Sequence, residues 1–194
     1  MQMAPHVFRI IVESYARAVP TIPDSQFPTP LRLAPMPDLD RMPRDLHSAL
    51  SGDGFRRRRR LVLPLLTTDP EGFPRAALLT LGEVRANSPK AIAVAVRAES
   101  LTAFNLVRRT NATLLYLHRS LTASVQARAG RGRVCDFDPA RRVFPLRVLR
   151  VRIDRPGPDE GEVELLTGPT FAGLAAEQLF SETLFAELGE VRPE

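Results

Sequence analysis

The 194-residue chain has no tryptophan, two tyrosines and one cysteine, and its only lysine is Lys90. The single cysteine, Cys135, excludes an intrachain disulfide framework, a zinc ribbon and a cysteine-ligated iron–sulfur cluster built within one chain. Such usage fits a reducing, cytoplasmic compartment. No stretch reaches the roughly 18 unbroken apolar residues that a membrane span needs. The nearest, Val7 to Val19, is interrupted by Arg9, Glu13 and Arg17. It also makes a poor signal peptide, because it is short, charged and followed by proline rather than a small-residue cleavage site. Catalytic signatures are missing too: there is no G-x-S-x-G elbow, no G-x-x-x-x-G-K-[ST] loop and no H-E-x-x-H. His6, His47 and His118 lie far apart in sequence. If the protein does chemistry, something other than these side chains must supply the reactive group.

What is present is enough for one substantial core. The chain is 44% hydrophobic and 25% charged, which excludes disorder and collagen. Of its 27 cations, 26 are arginines. A GC-rich genome accounts for that skew; the functional alternative is arginine placed for phosphate or nucleic acid, which the planar guanidinium forks onto well. Charge location favours neither an RNA nor a DNA partner. Residues 1–60 carry +4, residues 61–153 carry +9 and residues 154–194 carry −8. A basic body closed by an acidic tail is self-complementary, whereas a nucleic-acid binder exposes one unopposed basic face.

Eight of the 18 prolines fall within the first 43 residues, where they remove backbone donors and prevent regular helix or central strand. Residues 1–42 are therefore expected to form a weakly ordered arm, with Met36 and Met42 as candidate alternative starts, and residues 43–194 the folded domain. Arg44 to Leu50 reads as a short helix stopped by Gly52. Arg56 to Arg60 reads either as a nuclear-localisation or RNA-binding patch or as the solvated lead-in to a strand, Leu61 to Thr68, which Pro64 marks as an edge or bulge.

From there the pattern is mostly strand, turn, strand. Asp69 to Pro74 has hairpin-turn chemistry and leads into a strand from Phe73 to about Thr80. Ala91 to Arg97 is a third strand. Ser100 to Arg109 reads as a helix with Ser100 as N-cap and Leu101, Phe104 and Val107 or Leu106 as its apolar stripe. Strands follow at Ala112 to His118, Leu121 to about Val134 and Val143 to Ile153, then a Pro/Gly loop at Asp154 to Gly161, a strand at Glu162 to Thr167 and a helix at Ala172 to Leu188. Six or seven strands with one inserted helix point to a small closed barrel, a mainly β fold with flanking helices. Gly130 and Gly132 sit within a predicted strand and lack the following helix of a dinucleotide fingerprint. Cys135 reads as a buried structural thiol and His118 as a surface or dimer-contact histidine.

The order of these elements, carried by Thr67-Thr-Asp-Pro-Glu-Gly-Phe-Pro-Arg75, Ser100-Leu-Thr-Ala-Phe-Asn-Leu106, Phe144-Pro-Leu-Arg-Val-Leu-Arg-Val-Arg-Ile-Asp154 and Thr167-Gly-Pro-Thr-Phe171, resembles the FMN-binding split β-barrel family related to pyridoxamine 5'-phosphate oxidase, over roughly residues 43–188. The resemblance implies a homodimer with one flavin site per subunit at the interface, a small-molecule substrate and oxidoreductase activity. It implies that Arg75 meets the FMN phosphate, that Leu78, Leu79 and Thr80 run beside the isoalloxazine or ribityl chain, and that Arg97, Ser100 and Thr102 line the phosphate end with Asn105 supporting the turn. Ser100 reads equally as a plain N-cap, and Arg108 and Arg109 as a solvated helix end. The chain departs from the oxidase itself: Thr80 and Thr102 stand where lysines are expected, and the oxidase's C-terminal tryptophan and arginine have no match. The looser group of related flavin proteins is the better home. Alternatives are a deazaflavin-dependent reductase, a haem-binding split barrel using His118, and a non-enzymatic RNA-binding protein using Arg56 to Arg60.

Overall fold

The computed structural model describes residues 38–53, 55–118, 121–154, 165, 168–173 and 180–193, within one compact unit, Met36–Glu194. Eight strands form one antiparallel sheet: β1 (Val62–Thr68), β2 (Pro74–Thr80), β3 (Val84–Ser88), β4 (Ala91–Arg97), β5 (Asn111–His118), β6 (Leu121–Ala129), β7 (Arg133–Val134) and β8 (Arg141–Asp154). Among the described residues four helices flank it: α1 (Arg44–Leu50), α2 (Phe55–Arg58), α3 (Leu101–Arg109) and α4 (Glu182–Glu190). The ladder runs β2-β1-β5-β6-β8-β4-β3, with β7 added beside β8.

The two edge strands of this path are consecutive in sequence, joined only by the single 3-10 turn Leu81–Glu83. In a flat sheet six inter-strand gaps would hold them about 29 Å apart. The chain from Thr80 to Val84 reaches at most about 14 Å. The sheet must therefore curl until its edges meet, which gives the mainly β barrel fold with flanking helices expected from the sequence, in the form of a half-barrel with no ladder between β2 and β3. Its interior holds the main core, including Leu46, Leu63, Leu65, Ile92, Leu114, Tyr116, Phe144 and Val151.

The continuous apolar run of β4 is explained by cover on both faces. Ile92, Val94 and Val96 point into the barrel; Ala93 and Ala95 point outward and pack with Val143, Cys135 and the α4 residues Leu184 and Leu188. Small residues outside let a helix approach the sheet closely. The join is polar at its rim: Arg85 donates to the Phe185 carbonyl at 2.7 Å, and Asn87 Nδ2 donates to the carbonyls of Leu188 and Val191 at 2.8 and 2.7 Å.

Several sequence expectations change. β1 is not an edge, since it lies between β2 and β5; the β5 ladder begins only at Leu65, just past the missing N–H of Pro64. Phe55–Arg58 forms one helical turn rather than a strand lead-in, and Arg58 turns inward to donate to the Tyr116 hydroxyl at 3.1 Å and to the Asp53 carbonyl. Val84–Ser88 is a strand that went unpredicted, its five residues ending in polar Asn87 and Ser88. Gly130 and Gly132 interrupt the strand expected to run on to Val134, because a β-carbon at Gly132 would overlap the buried Phe144 ring. Among the described residues the last helix begins only at Glu182, where the Ser181 hydroxyl caps Leu184 N at 3.2 Å; Ala172 and Gly173 are not helical. Apart from Leu165, which is exposed and not in a strand, the strand expected at Glu162 to Thr167 and most of the loop before it lie outside the described residues. So do residues 1–37 of the expected arm. Residues 38–42 are tied to the sheet, with Leu39 bridged to Val151 and Met42 N donating to the Pro89 carbonyl at 2.8 Å.

The acidic tail locks onto the basic body through Glu187. Its buried carboxylate accepts from Arg133 Nη1 at 2.6 Å, the Cys135 thiol at 3.0 Å, Asp136 N at 2.9 Å and Phe137 N at 3.1 Å. Burial pushes its pKa up, but the thiol, the two backbone donors and the Arg133 guanidinium outweigh that and hold it at about 2. Burial first, and then the hydrogen bond to Glu187, push the Cys135 thiol the other way, so it stays protonated as a structural group. A carboxylate depressed in the folded state stabilises above its unfolded pKa of 4.5 and loses that contribution as pH falls from there towards 2. Glu187→Gln is expected to cost about 1–3 kcal/mol at neutral pH and to flatten the acid limb of the stability curve, read by urea unfolding from pH 7 to pH 3.

Candidate functional site

The residues singled out by sequence converge on the hairpin β1–β2 and the helix that crosses it. The turn forms as its composition dictates. Asp69 Oδ1 accepts from Phe73 N at 2.8 Å, Asp69 N donates to the Phe73 carbonyl at 2.9 Å, and Gly72 adopts φ +98°. The register then sets Arg75 opposite Thr67 and Leu78 opposite Pro64. Alternation along β2 puts Arg75 and Leu79 on the face that Thr67 and Leu63 share, and Leu78 on the other. Among the described residues β2 pairs only with β1, and none of them gives the backbone groups on its outer edge a ladder partner. Arg75 is exposed and among the described residues has no carboxylate within ion-pair distance. Leu78 is 58% and Phe73 69% exposed, whereas Leu79 and Thr80 are buried.

Helix α3 is capped as expected. Ser100 accepts from Ala103 N at 3.1 Å and donates to the Arg97 carbonyl at 2.7 Å, so its hydroxyl is fully engaged. Asn105 is buried and donates to the Thr67 hydroxyl at 3.0 Å, tying the helix to β1 directly across from Arg75. Thr102 is buried beside Ala103 and Leu106. The expected apolar stripe faces outward instead: Leu101, Phe104 and Val107 are exposed, with the Arg108 guanidinium 5.6 Å from the Phe104 ring centroid. At the far end, Arg109 Nη2 donates to the Pro70 carbonyl at 2.5 Å and steadies the hairpin tip.

The eight predicted residues do not share one surface. Arg75 and Asn105 come together across Thr67. Arg97 is exposed at the end of β4, on the outward face with Ala93 and Ala95 and opposite Arg141. Thr80 is committed elsewhere: its N–H and hydroxyl donate to Glu83 Oε2 at 2.7 and 3.1 Å, and Glu83 in turn pairs with Arg141, which also meets Asp138 at 3.1 Å. Of the eight, Arg75, Leu78 and Arg97 have exposed side chains.

Sequence reasoning missed a groove of about 540 Å³ on the outward face of β1, β5, β6 and β8, within the size range of small-molecule sites. Leu66, Thr68, Leu115, Gln126, Arg128 and Leu149 are among the residues that line it. The half-exposed alternation of β5 and β6, with Thr113, Leu115, Ser124 and Gln126 all intermediate in burial, was its only trace in the sequence. Among the described residues no helix is long and apolar enough to cross a membrane, and no group of three or more His, Cys, Asp or Glu could hold a metal ion.

Fold and site together define a mainly β protein of split half-barrel architecture with an open edge strand. No protein-family model matches the chain, and no curated protein matches it. Among solved structures it is similar to the HupZ protein of Group A Streptococcus (13% identity, TM-score 0.48, covering 60% of this chain and 97% of that one). It is similar also to a provisionally assigned pyridoxamine 5'-phosphate oxidase from Lactobacillus delbrueckii (16%, TM-score 0.44, 59% and 95%) and to an FMN-binding protein from Syntrophomonas wolfei (11%, TM-score 0.45, 57% and 86%). At these identities the neighbours' ligands do not carry over to this chain. Asn105→Ala, which leaves the buried Thr67 hydroxyl without its donor, is expected to lower stability by about 1–3 kcal/mol in urea unfolding.

Proposed function

We propose that the protein binds a flavin, FMN in the first instance, and works as an oxidoreductase on a small-molecule substrate. The observation that carries this is the edge strand β2: an exposed guanidinium, Arg75, without an acidic partner among the described residues, stands three residues from an exposed apolar Leu78 on a backbone whose outer edge lacks a ladder. Flavin mononucleotide asks for that combination, with a dianionic phosphate at one end and a flat ring at the other whose rim hydrogen-bonds to main-chain groups while its face rests on apolar side chains. Arg75 would hold the phosphate, and the main chain at Leu78 and Leu79 would run along the ring or ribityl chain, with the exposed Leu78 side chain as the apolar contact. Thr80, Ser100 and Asn105 keep the strand, the turn and the helix in place from behind. Bound flavin supplies hydride or electron transfer; this chain's residues bind it, orient it and shield it from water.

The same surface supports a homodimer. Phe73 and Leu78 on the hairpin and Leu101, Phe104 and Val107 on α3 are large apolar side chains left uncovered, and a second copy is the partner we assign to them. The deciding measurement is FMN titration followed by flavin fluorescence. Micromolar binding is expected, and Arg75→Ala should weaken it by about tenfold or more, since a charge-assisted hydrogen bond is lost from an exposed residue with no structural role. A colourless protein that does not quench FMN would overturn the reading and favour a deazaflavin. In sedimentation, a dimer is expected that Phe104→Glu converts to monomer.

A further inference from the structure

The register of the sheet puts two arginines face to face. Arg128 on β6 is paired directly with Arg147 on β8, and Asn111 on β5 is paired with Arg128 on its other side. All three are exposed and point to the outward face, because their strand neighbours Ala127, Ala129, Leu146 and Val148 fill the barrel. Beyond Arg147 the row continues to Ala91 on β4 and Ser88 on β3, both small. Side chains directly opposite in an antiparallel pair stand about 5 Å apart, and like charges so placed repel. Elsewhere on this face the repulsion is relieved: Arg150 and Arg152 both meet Asp38, at 3.2 and 2.9 Å. Arg128 and Arg147 have no such carboxylate among the described residues. Arg128 also forms part of the wall of the 540 Å³ groove, with Asn111, Gln126 and Leu149.

We propose that Asn111, Arg128 and Arg147 form an oxyanion subsite at the end of the groove, built for a phosphoryl group. Two guanidinium forks at one inter-strand spacing can share the oxygens of a single phosphate, the amide of Asn111 adds a neutral donor, and the bound dianion removes the repulsion that the empty row carries. This site is separate from Arg75, which lies on β2 and faces the side shared with Thr67. The phosphate belongs to a phosphorylated substrate lying in the groove or, where Arg75 does not hold the flavin's phosphate, to the flavin itself; only that choice of source rests on the flavin reading above.

The first test needs no flavin. Inorganic phosphate is titrated at constant ionic strength against the unliganded full-length protein, and the thermal midpoint is followed. A saturable rise is expected, with roughly tenfold more phosphate needed for Arg128→Gln or Arg147→Gln, and a partial effect for Arg147→Lys, which keeps the charge but loses the fork. Without phosphate the Gln variants are expected to melt no lower than the parent, since each removes a like-charge contact. An equal phosphate response in parent and Gln variants would show only the general stabilisation that kosmotropic anions give and overturns the proposal. A second arm compares FMN with riboflavin. If Arg147→Gln abolishes the preference for FMN, the flavin's own phosphate sits here. If FMN affinity is unchanged and the FMN-loaded protein still responds to phosphate, the subsite serves the substrate. Displacement of phosphate by a short RNA oligomer but not by a phosphate monoester would assign the row to nucleic acid and overturn the proposal.

Discussion

The curvature of the whole sheet rests on the three residues Leu81–Glu83. They join the first strand of the ladder to the last, and Glu83 makes the turn rigid by accepting from both the N–H and the hydroxyl of Thr80. The same carboxylate reaches Arg141 at the start of β8, so the turn is also anchored to the longest strand of the sheet. With the edges drawn together, one face of the sheet becomes an interior that apolar side chains can fill. The other becomes a convex exterior, which carries the groove and the row Asn111, Arg128 and Arg147, whereas Arg75 stands on the face that Thr67 and Leu63 share.

That exterior is divided by what covers it. Over β4 and the first part of β8, α4 packs on the small outward residues Ala93 and Ala95, with Glu187 pinned by four donors. Over β1, β5, β6 and the middle of β8 there is no helix among the described residues, and the groove lies there. The basic body and acidic tail thus meet at a few specific bonds, while Arg128 and Arg147, with no ion pair among the described residues, stand on the uncovered part of the sheet.

Much of this was legible in the sequence because it depends on neighbours in the chain. The Asp69–Gly72 turn, the Ser100 cap and the helix Arg44–Leu50 follow from local chemistry, and the unbroken apolar run of β4 read as a strand, whose burial on both faces only the fold revealed. The rest depends on partners distant in sequence. Pro64 reads as an edge marker, yet β1 is internal because β5 simply begins its pairing one residue later. Thr80 looked available to a ligand until Glu83 folded back onto it, and Asn105 until Thr67 was found beneath it. The outward stripe of α3 defied its own periodicity: Leu106 reaches the core and Thr102, Ala103 and Asn105 are buried with it, while Leu101, Phe104 and Val107 are left exposed. The pairing of Arg128 with Arg147 is a matter of register across 18 intervening residues, which composition cannot reveal.

The open edge of β2 has one more consequence. Among the described residues β2 has a single neighbour, and such a strand has two kinds of amide in alternation, one bonded across to β1 and the next facing outward with no described strand beside it. Its exchange with deuterated solvent should therefore be striped residue by residue, slow and fast in turn. Whatever molecule comes to lie along that edge, small or large, would write its position into the fast half of the stripe while leaving the slow half unchanged.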